Sequence, residues 1–421
     1  MNWKGDAIRV FTWAVLPCLG ALAAWIALRW KAPDAWTRRR WVWTAAGLFL
    51  LTRVGTHVLV FHVFQYAGSW DLIQVWDPIA RAVLEGRDPT PWIDNLYGPL
   101  FPHVLAAGLG VSGGTYPPGI DLPFVLADAG ALVLLFRIAR RSFDEPVARR
   151  LTLAVLLSPI LWHGVILRTQ DEPLFLLFLL GTLDFLQRGK EAGGVVTAAL
   201  GTAFTKAIFP FWVLPVLLAA GGDRRRMAAR VAGAGGLTVA LLGVFLLLGW
   251  NLAGRFHPTL DVRGSSTWFL FLGARQPPAG VFRAGLVATM LLLAVAGFLS
   301  GLLRRPAGTG DAAARGVVAV QGTFFVVSPF TLPPHLVHGL PFLAWQAVRE
   351  GVTGERPSGT ALALGAGFCL WQIPSLWLGS EFWSDYPLLI AAFAAWWGWT
   401  AWRAARGGGG PDAGVSAARG S

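Results

Sequence analysis

A carboxylate that can take a proton, cations that can hold a phosphate, and histidines that can do either stand at a few places in an otherwise apolar chain. Asp71, in Ser69-Trp70-Asp71, can act as a general base toward a hydroxyl, or it can cap the short helix that follows. Asp77 and Arg81 are spaced i, i+4 and pair with each other if that segment is helical. Lys206 lies in Gly201-Thr-Ala-Phe-Thr-Lys206-Ala-Ile-Phe-Pro210, where an unpaired ammonium in hydrocarbon is costly. It either snorkels to water or meets an anion such as a lipid phosphate, and Arg168 has the same two readings. Arg53 lies deeper in its apolar run and reads as a helix-packing cation. His335 and His338 follow Ser328-Pro-Phe-Thr-Leu-Pro-Pro334, whose double proline excludes regular helix. Broken backbone at membrane depth survives only beside protein or a wet cavity, so the two histidines either line a site or act as plain hydrogen-bonding groups.

Nothing calls for a metal or another cofactor. There is no HExxH and no cysteine pair, and adjacent acids such as Asp171 and Glu172 point to different sides of a helix. Cys18 and Cys369 lie inside apolar runs and read as packing residues. Most of the 22 tryptophans read as interfacial anchors, although Trp70, Trp76, Trp92 and Trp268 could stack on sugar rings.

The elements that must position these residues are membrane helices. Of the 421 residues 55% are hydrophobic and 14% charged, too little polarity to cover a water-soluble globule of that size. The net charge of +12 would suggest nucleic acid in a soluble protein. Here most of the basic residues gather in alternate connections, at 29–40, 137–150, 188–190, 224–230, 304–315, 349–356 and 403–419, which reads as a topology signal and not as a nucleic-acid footprint. With those segments inside, the chain threads as about 13 spans, at 8–28, 41–62, 120–137, 151–167, 173–187, 192–207, 208–222, 231–250, 281–303, 316–330, 336–348, 361–379 and 386–402. The 192–222 pair could be one helix broken at Lys206 to Pro210. The first run lacks a cleavage site and reads as a retained helix, not a signal peptide. The predicted fold is all-α and polytopic: a membrane domain over 1–402 and a disordered cytoplasmic tail over 403–421.

This threading puts the polar residues on one face. The outer connection 63–119 holds Asp71, Asp77, Arg81, Tyr97 and Tyr116, and its Ile79–Leu84 and Leu100–Leu109 stretches are predicted to lie along the membrane surface. Arg168, Asp171, Glu172, Lys206, the 251–280 loop and the 328–338 segment fall on the same side. Polar groups supplied to one face by many helices read as a single site.

The order of motifs resembles the GT-C superfamily of membrane glycosyltransferases. Ser69-Trp-Asp71 followed by Asp77-Pro-Ile-Ala-Arg81-Ala-Val-Leu-Glu-Gly86-Arg-Asp-Pro89 is similar to the first outer loop of the polyprenol-phosphate-mannose-dependent enzymes, glycosyltransferase family 87 and the eukaryotic first GPI mannosyltransferase. Tyr97-Gly-Pro99, Tyr116-Pro-Pro118, Arg168-Thr-Gln-Asp-Glu172, Lys206-Ala-Ile-Phe-Pro210 and the 328–338 segment follow in the family's order, so that the likeness spans residues 50–345. The resemblance implies that Asp71 is the catalytic aspartate, that Lys206 and Arg168 hold the donor phosphate, and that His335 or His338 is a donor-site residue. Ser69 stands where the family has the first acid of its D-x-D pair, which leaves Asp71 to act alone. The expected activity is inverting transfer of a hexose, mannose by the resemblance, from a polyprenyl phosphate to a lipid or glycan acceptor on the outer face of the inner membrane. The rivals are a transporter or lipid flippase, which would use mid-membrane ionisable residues such as Arg53 and Asp128, and a non-catalytic scaffold.

Overall fold

The computed structural model describes residues 32–64, 72–89, 97–115, 118–158, 161, 171–221, 223–249, 263–264, 278–302, 308–328, 330–331 and 333–352. The spans expected at 8–28, 361–379 and 386–402, and the 403–421 tail, lie outside these residues.

The described chain is helical. A 3-10 turn at Ala32–Ala35 leads into α1, Arg38–Val63, whose second half winds into π-type turns at Leu50–Gly55 and Val58–Val63. A π-type turn at Leu72–Trp76 runs into α2, Asp77–Leu84; then come α3, Phe101–Val111, α4, Pro118–Ala139, and α5, Glu145–Leu156. The centre is built by α6, Glu172–Gln187, α7, Glu191–Phe204, and α8, Phe209–Ala219. Three longer helices follow, α9, Arg224–Leu247, α10, Ala279–Leu302, and α11, Thr309–Val327, before a 3-10 turn at Pro333–His338 and α12, Leu340–Val352. The β-structure among the described residues is a parallel pairing of Arg263–Gly264 with Phe330–Thr331 and one antiparallel bridge between Tyr97 and Lys206.

Local chemistry sets most helix starts. Proline occupies the first turn of α2, α3, α5, α6 and α8, where its missing N–H costs nothing and its fixed φ suits the helix. Asp144 accepts from the Val147 N–H at 3.2 Å and Asp223 from the Arg226 N–H at 2.7 Å, each satisfying an otherwise orphaned donor.

Among the described residues three helices, Arg38–Val63, Gly119–Ala139 and Arg224–Leu247, are long and apolar enough to cross a membrane. Shorter apolar helices occur at Phe101–Val111, Phe209–Ala219 and Ala284–Ser300. Outward faces are apolar: Leu51 on α1 is 67% exposed and Leu247 on α9 is 89% exposed. Such faces suit lipid as solvent, and the protein is a multi-pass membrane protein.

α6 is the axis of the bundle, packed on α4 along one side and on α7 and α8 along others; α8 also packs on α10 and α11. Buried aromatic side chains fill the centre, among them Phe175, Phe209, Trp212, Phe342 and Trp345. α2 and α3 form where surface helices were expected, but they bury Ile79, Ala80, Phe101 and Leu105 against each other and α4. Two polar contacts join α1 to α4 in antiparallel order. Arg53 Nε meets Asp128 Oδ2 at 2.7 Å with both side chains fully buried, and His57 Nδ1 lies 2.9 Å from Asp121 Oδ2.

Candidate functional site

The site is assembled around a helix break. α7 ends at Phe204 and α8 begins at Phe209, because Pro210 cannot donate to a continuing helix. Thr205, with φ −126° and ψ −131°, leaves helical geometry, and Lys206 pairs as an extended residue with Tyr97. The Gly98 N–H donates to the Thr205 carbonyl at 2.5 Å and the Leu100 N–H to the Ala203 carbonyl at 2.9 Å. Glycine is required at 98: a Cβ there would stand 2.2 Å from the Ala203 carbonyl oxygen. The break thus turns the Lys206 side chain inward, where it is buried.

Lys206 Nζ lies 2.7 Å from Glu172 Oε1 and 2.8 Å from Asp171 Oδ1, so one ammonium serves two buried carboxylates. The ammonium also stands 5.7 Å from the centre of the Tyr97 ring, within cation–π range. Adjacent acids were expected to diverge. They converge because Asp171 precedes α6 as its cap residue while Glu172 is the first residue inside it. Lys206 is thus held inside by protein carboxylates and does not snorkel to water.

The second half of the site comes from the chain after α11. The prolines at 333 and 334 replace α-helix with a 3-10 turn that carries His335 and His338 into the interior, where both are buried. The His338 ring stacks on Phe175 with centroids 3.9 Å apart and meets Trp212 edge-on at 5.5 Å. Its Nε2 lies 4.0 Å from Glu172 Oε1, and the His335 ring lies 5.7 Å from that of His338. Gln321 fixes this turn: Trp212 Nε1 donates to its Oε1 at 2.9 Å, and its Nε2 donates to the His335 carbonyl at 3.1 Å. Gln321 and Trp212 went unnoticed in the sequence, where the available signal was a lone amide in the apolar run of α11. Glu172 Oε2 and both ring nitrogens of His338 are buried and make no hydrogen bond among the described residues. Buried polar atoms in that condition cost free energy and are expected where a ligand completes the set.

The remaining sequence candidates divide. Arg81 Nε donates to both Asp77 oxygens at 2.9–3.0 Å, the i, i+4 pair expected on a helix. The hydrogen bond to Asp77 pushes the guanidinium above its ordinary value. This pair is partly exposed and separate from the Lys206 cluster in its contacts. Asp71, Tyr116 and Arg168 lie outside the described residues. Among the described residues no group of three or more His, Cys, Asp or Glu is placed to hold a metal ion.

An all-helical, multi-pass membrane protein thus holds one lysine, two acids and two histidines in a buried centre assembled from four segments. Residues 97–250 match the family described as dolichyl-phosphate-mannose-protein mannosyltransferase. The matched stretch begins at Tyr97 and takes in Asp171, Glu172 and Lys206. No curated protein and no solved structure matches the chain. The match supports a mannosyltransferase-like family of the GT-C type, and the protein is a glycosyltransferase.

Proposed function

We propose that the protein moves a hexose, mannose in the first instance, from a polyprenyl phosphate to a lipid or glycan acceptor at the outer face of the inner membrane. The observation that carries this reading is the buried Lys206, Asp171, Glu172 and His338 cluster, most of it inside the stretch similar to dolichyl-phosphate-mannose-protein mannosyltransferases. An ammonium has three N–H donors. With Glu172 and Asp171 taking two, the third is available to an oxygen of the donor phosphate, and the charge developing on the leaving phosphate is stabilised there. His335 and His338 flank that position, and Arg168 is assigned to the same phosphate. Tyr97 and Tyr116 are assigned to the same site.

Asp71 is assigned as the general base. It takes the proton of the acceptor hydroxyl as the acceptor oxygen attacks the anomeric carbon and the bond to the phosphate oxygen breaks; polyprenyl phosphate leaves. One direct displacement inverts the anomeric centre and needs only one base. The reaction as written needs no metal ion.

Asp71→Asn tests the assignment, because it keeps the side-chain shape and removes the base. Donor binding should survive while turnover falls by about 10² to 10⁴, the usual contribution of general base catalysis. Transfer near the wild-type rate would remove Asp71 from the mechanism, and the buried Glu172 would then be the first carboxylate to substitute.

A further inference from the structure

The end of α6 opposite the site carries a different charge arrangement. Asp184 is twelve residues beyond Glu172, about 18 Å along the helix axis. Its nearly buried carboxylate receives three arginines: Arg141 Nη1 at 2.8 Å, Arg188 Nη2 at 2.8 Å and Arg137 Nη2 at 3.5 Å. Arg141 also donates to Gln187 Oε1 at 3.2 Å. The neighbouring acids are engaged elsewhere, Glu145 with Arg140 and Arg149, and Asp144 with the N-terminus of α5. Three guanidiniums offer about fifteen N–H donors against the four or so lone pairs of one carboxylate. Asp184 therefore gathers the arginines and leaves them with two unbalanced positive charges and spare donors.

The surface beside them is apolar. Val133 is 57% exposed and Leu126 is 63% exposed, and with Arg137 they fall at i, i+7 and i+11 on one face of α4. An acyl chain lying along Leu126 and Val133 brings its headgroup to Arg137, at the end of a helix long enough to span a bilayer.

We propose that Arg137, Arg141 and Arg188, held together by Asp184, form a binding site for the phosphate of an anionic phospholipid in the leaflet opposite the catalytic centre. The guanidinium fork suits a phosphodiester, and the Leu126 and Val133 face selects a lipid over free phosphate. This site does not depend on the assignment of the transfer reaction.

The test uses the full-length protein purified in a mild neutral detergent. Phosphatidylglycerol, phosphatidylcholine or inorganic phosphate is added, and bound lipid is counted by native mass spectrometry while thermal stability is followed. Phosphatidylglycerol should be retained and should raise the melting temperature, with phosphatidylcholine and inorganic phosphate inert. Arg137→Gln should weaken retention about five-fold, the contribution of one arginine near an anionic headgroup, and Arg137→Gln with Arg141→Gln should abolish it. Arg137→Gln retains the Arg141 and Arg188 contacts to Asp184, so it reports even if the double variant does not fold. Arg224→Gln with Arg225→Gln removes the same charge from the exposed start of α9 and should leave retention intact. Equal retention of both lipids, a response to inorganic phosphate alone, or equal losses in the two double variants would each overturn the proposal.

Discussion

The pair between Arg53 and Asp128 and the cluster around Lys206 are both buried ion pairs between distant segments, yet they are built on different backbone. Arg53 and Asp128 project from continuous helices, one cation to one carboxylate, and Arg53 Nη1 also donates to Thr52 Oγ1 and the Leu156 carbonyl at 3.0 Å. Lys206, Asp171 and Glu172 stand at a helix break and a helix start, one cation to two carboxylates, with two histidines alongside. The first arrangement balances its charge and holds α1 against α4. The second has spare acceptor and donor capacity in a place that regular helix could not have built. Arg53 and Asp128 are the mid-membrane ionisable residues a transporter would need, and they neutralise each other.

The largest effect expected from this contrast falls on transfer. Lys206→Met should lower turnover per folded molecule by about 10² to 10³, the usual effect of removing one stabilising donor. It also strands two buried carboxylates, so melting temperature must be read beside single-turnover transfer. Normal transfer with lowered stability would make Lys206 a structural residue like Arg53.

Asp128→Ala should do the opposite. It leaves the Arg53 guanidinium buried and unpaired, and stability should fall by about 3 to 5 kcal/mol while the protein that stays folded turns over normally. Replacing both partners, Arg53→Met with Asp128→Leu, should recover most of the loss, since a buried pair exchanged for packed apolar groups is often close to neutral. Loss of transfer in a stable double variant would give the pair a role beyond packing. The smallest effect belongs to Asp77→Asn: a partly exposed i, i+4 pair is worth at most about 1 kcal/mol, and denaturant titration should register no more than that.

Sequence reading reached the helix break before Pro210, the end of regular helix before His335, and the pairing of Asp77 with Arg81, because each follows from local rules about proline or helical spacing. It did not reach the convergence of Asp171 and Glu172 on Lys206, since that depends on Asp171 standing outside the helix and on Tyr97 pairing across the break. Placing Arg315 in the basic connection 304–315 starts that span at 316, whereas the helix begins at Thr309. Asp311 is in fact held by Trp345 Nε1 at 2.8 Å and Arg349 at 2.9 Å, so its charge is satisfied inside the bundle. Gln321 was hidden for a related reason: one amide in an apolar helix acquires meaning only from the Trp212 indole and the His335 carbonyl, which the fold brings to it.

The central claim is that this membrane protein transfers a sugar from a polyprenyl phosphate. Purified protein reconstituted in lipid and incubated with radiolabelled polyprenyl-phosphate mannose and membrane-derived acceptors tests it most directly. The account predicts label moving to a lipid or glycan acceptor with inverted anomeric configuration in wild-type protein, and transfer slower by about 10² to 10⁴ with Asp71→Asn. Movement of intact donor across the bilayer without transfer to any acceptor would contradict it.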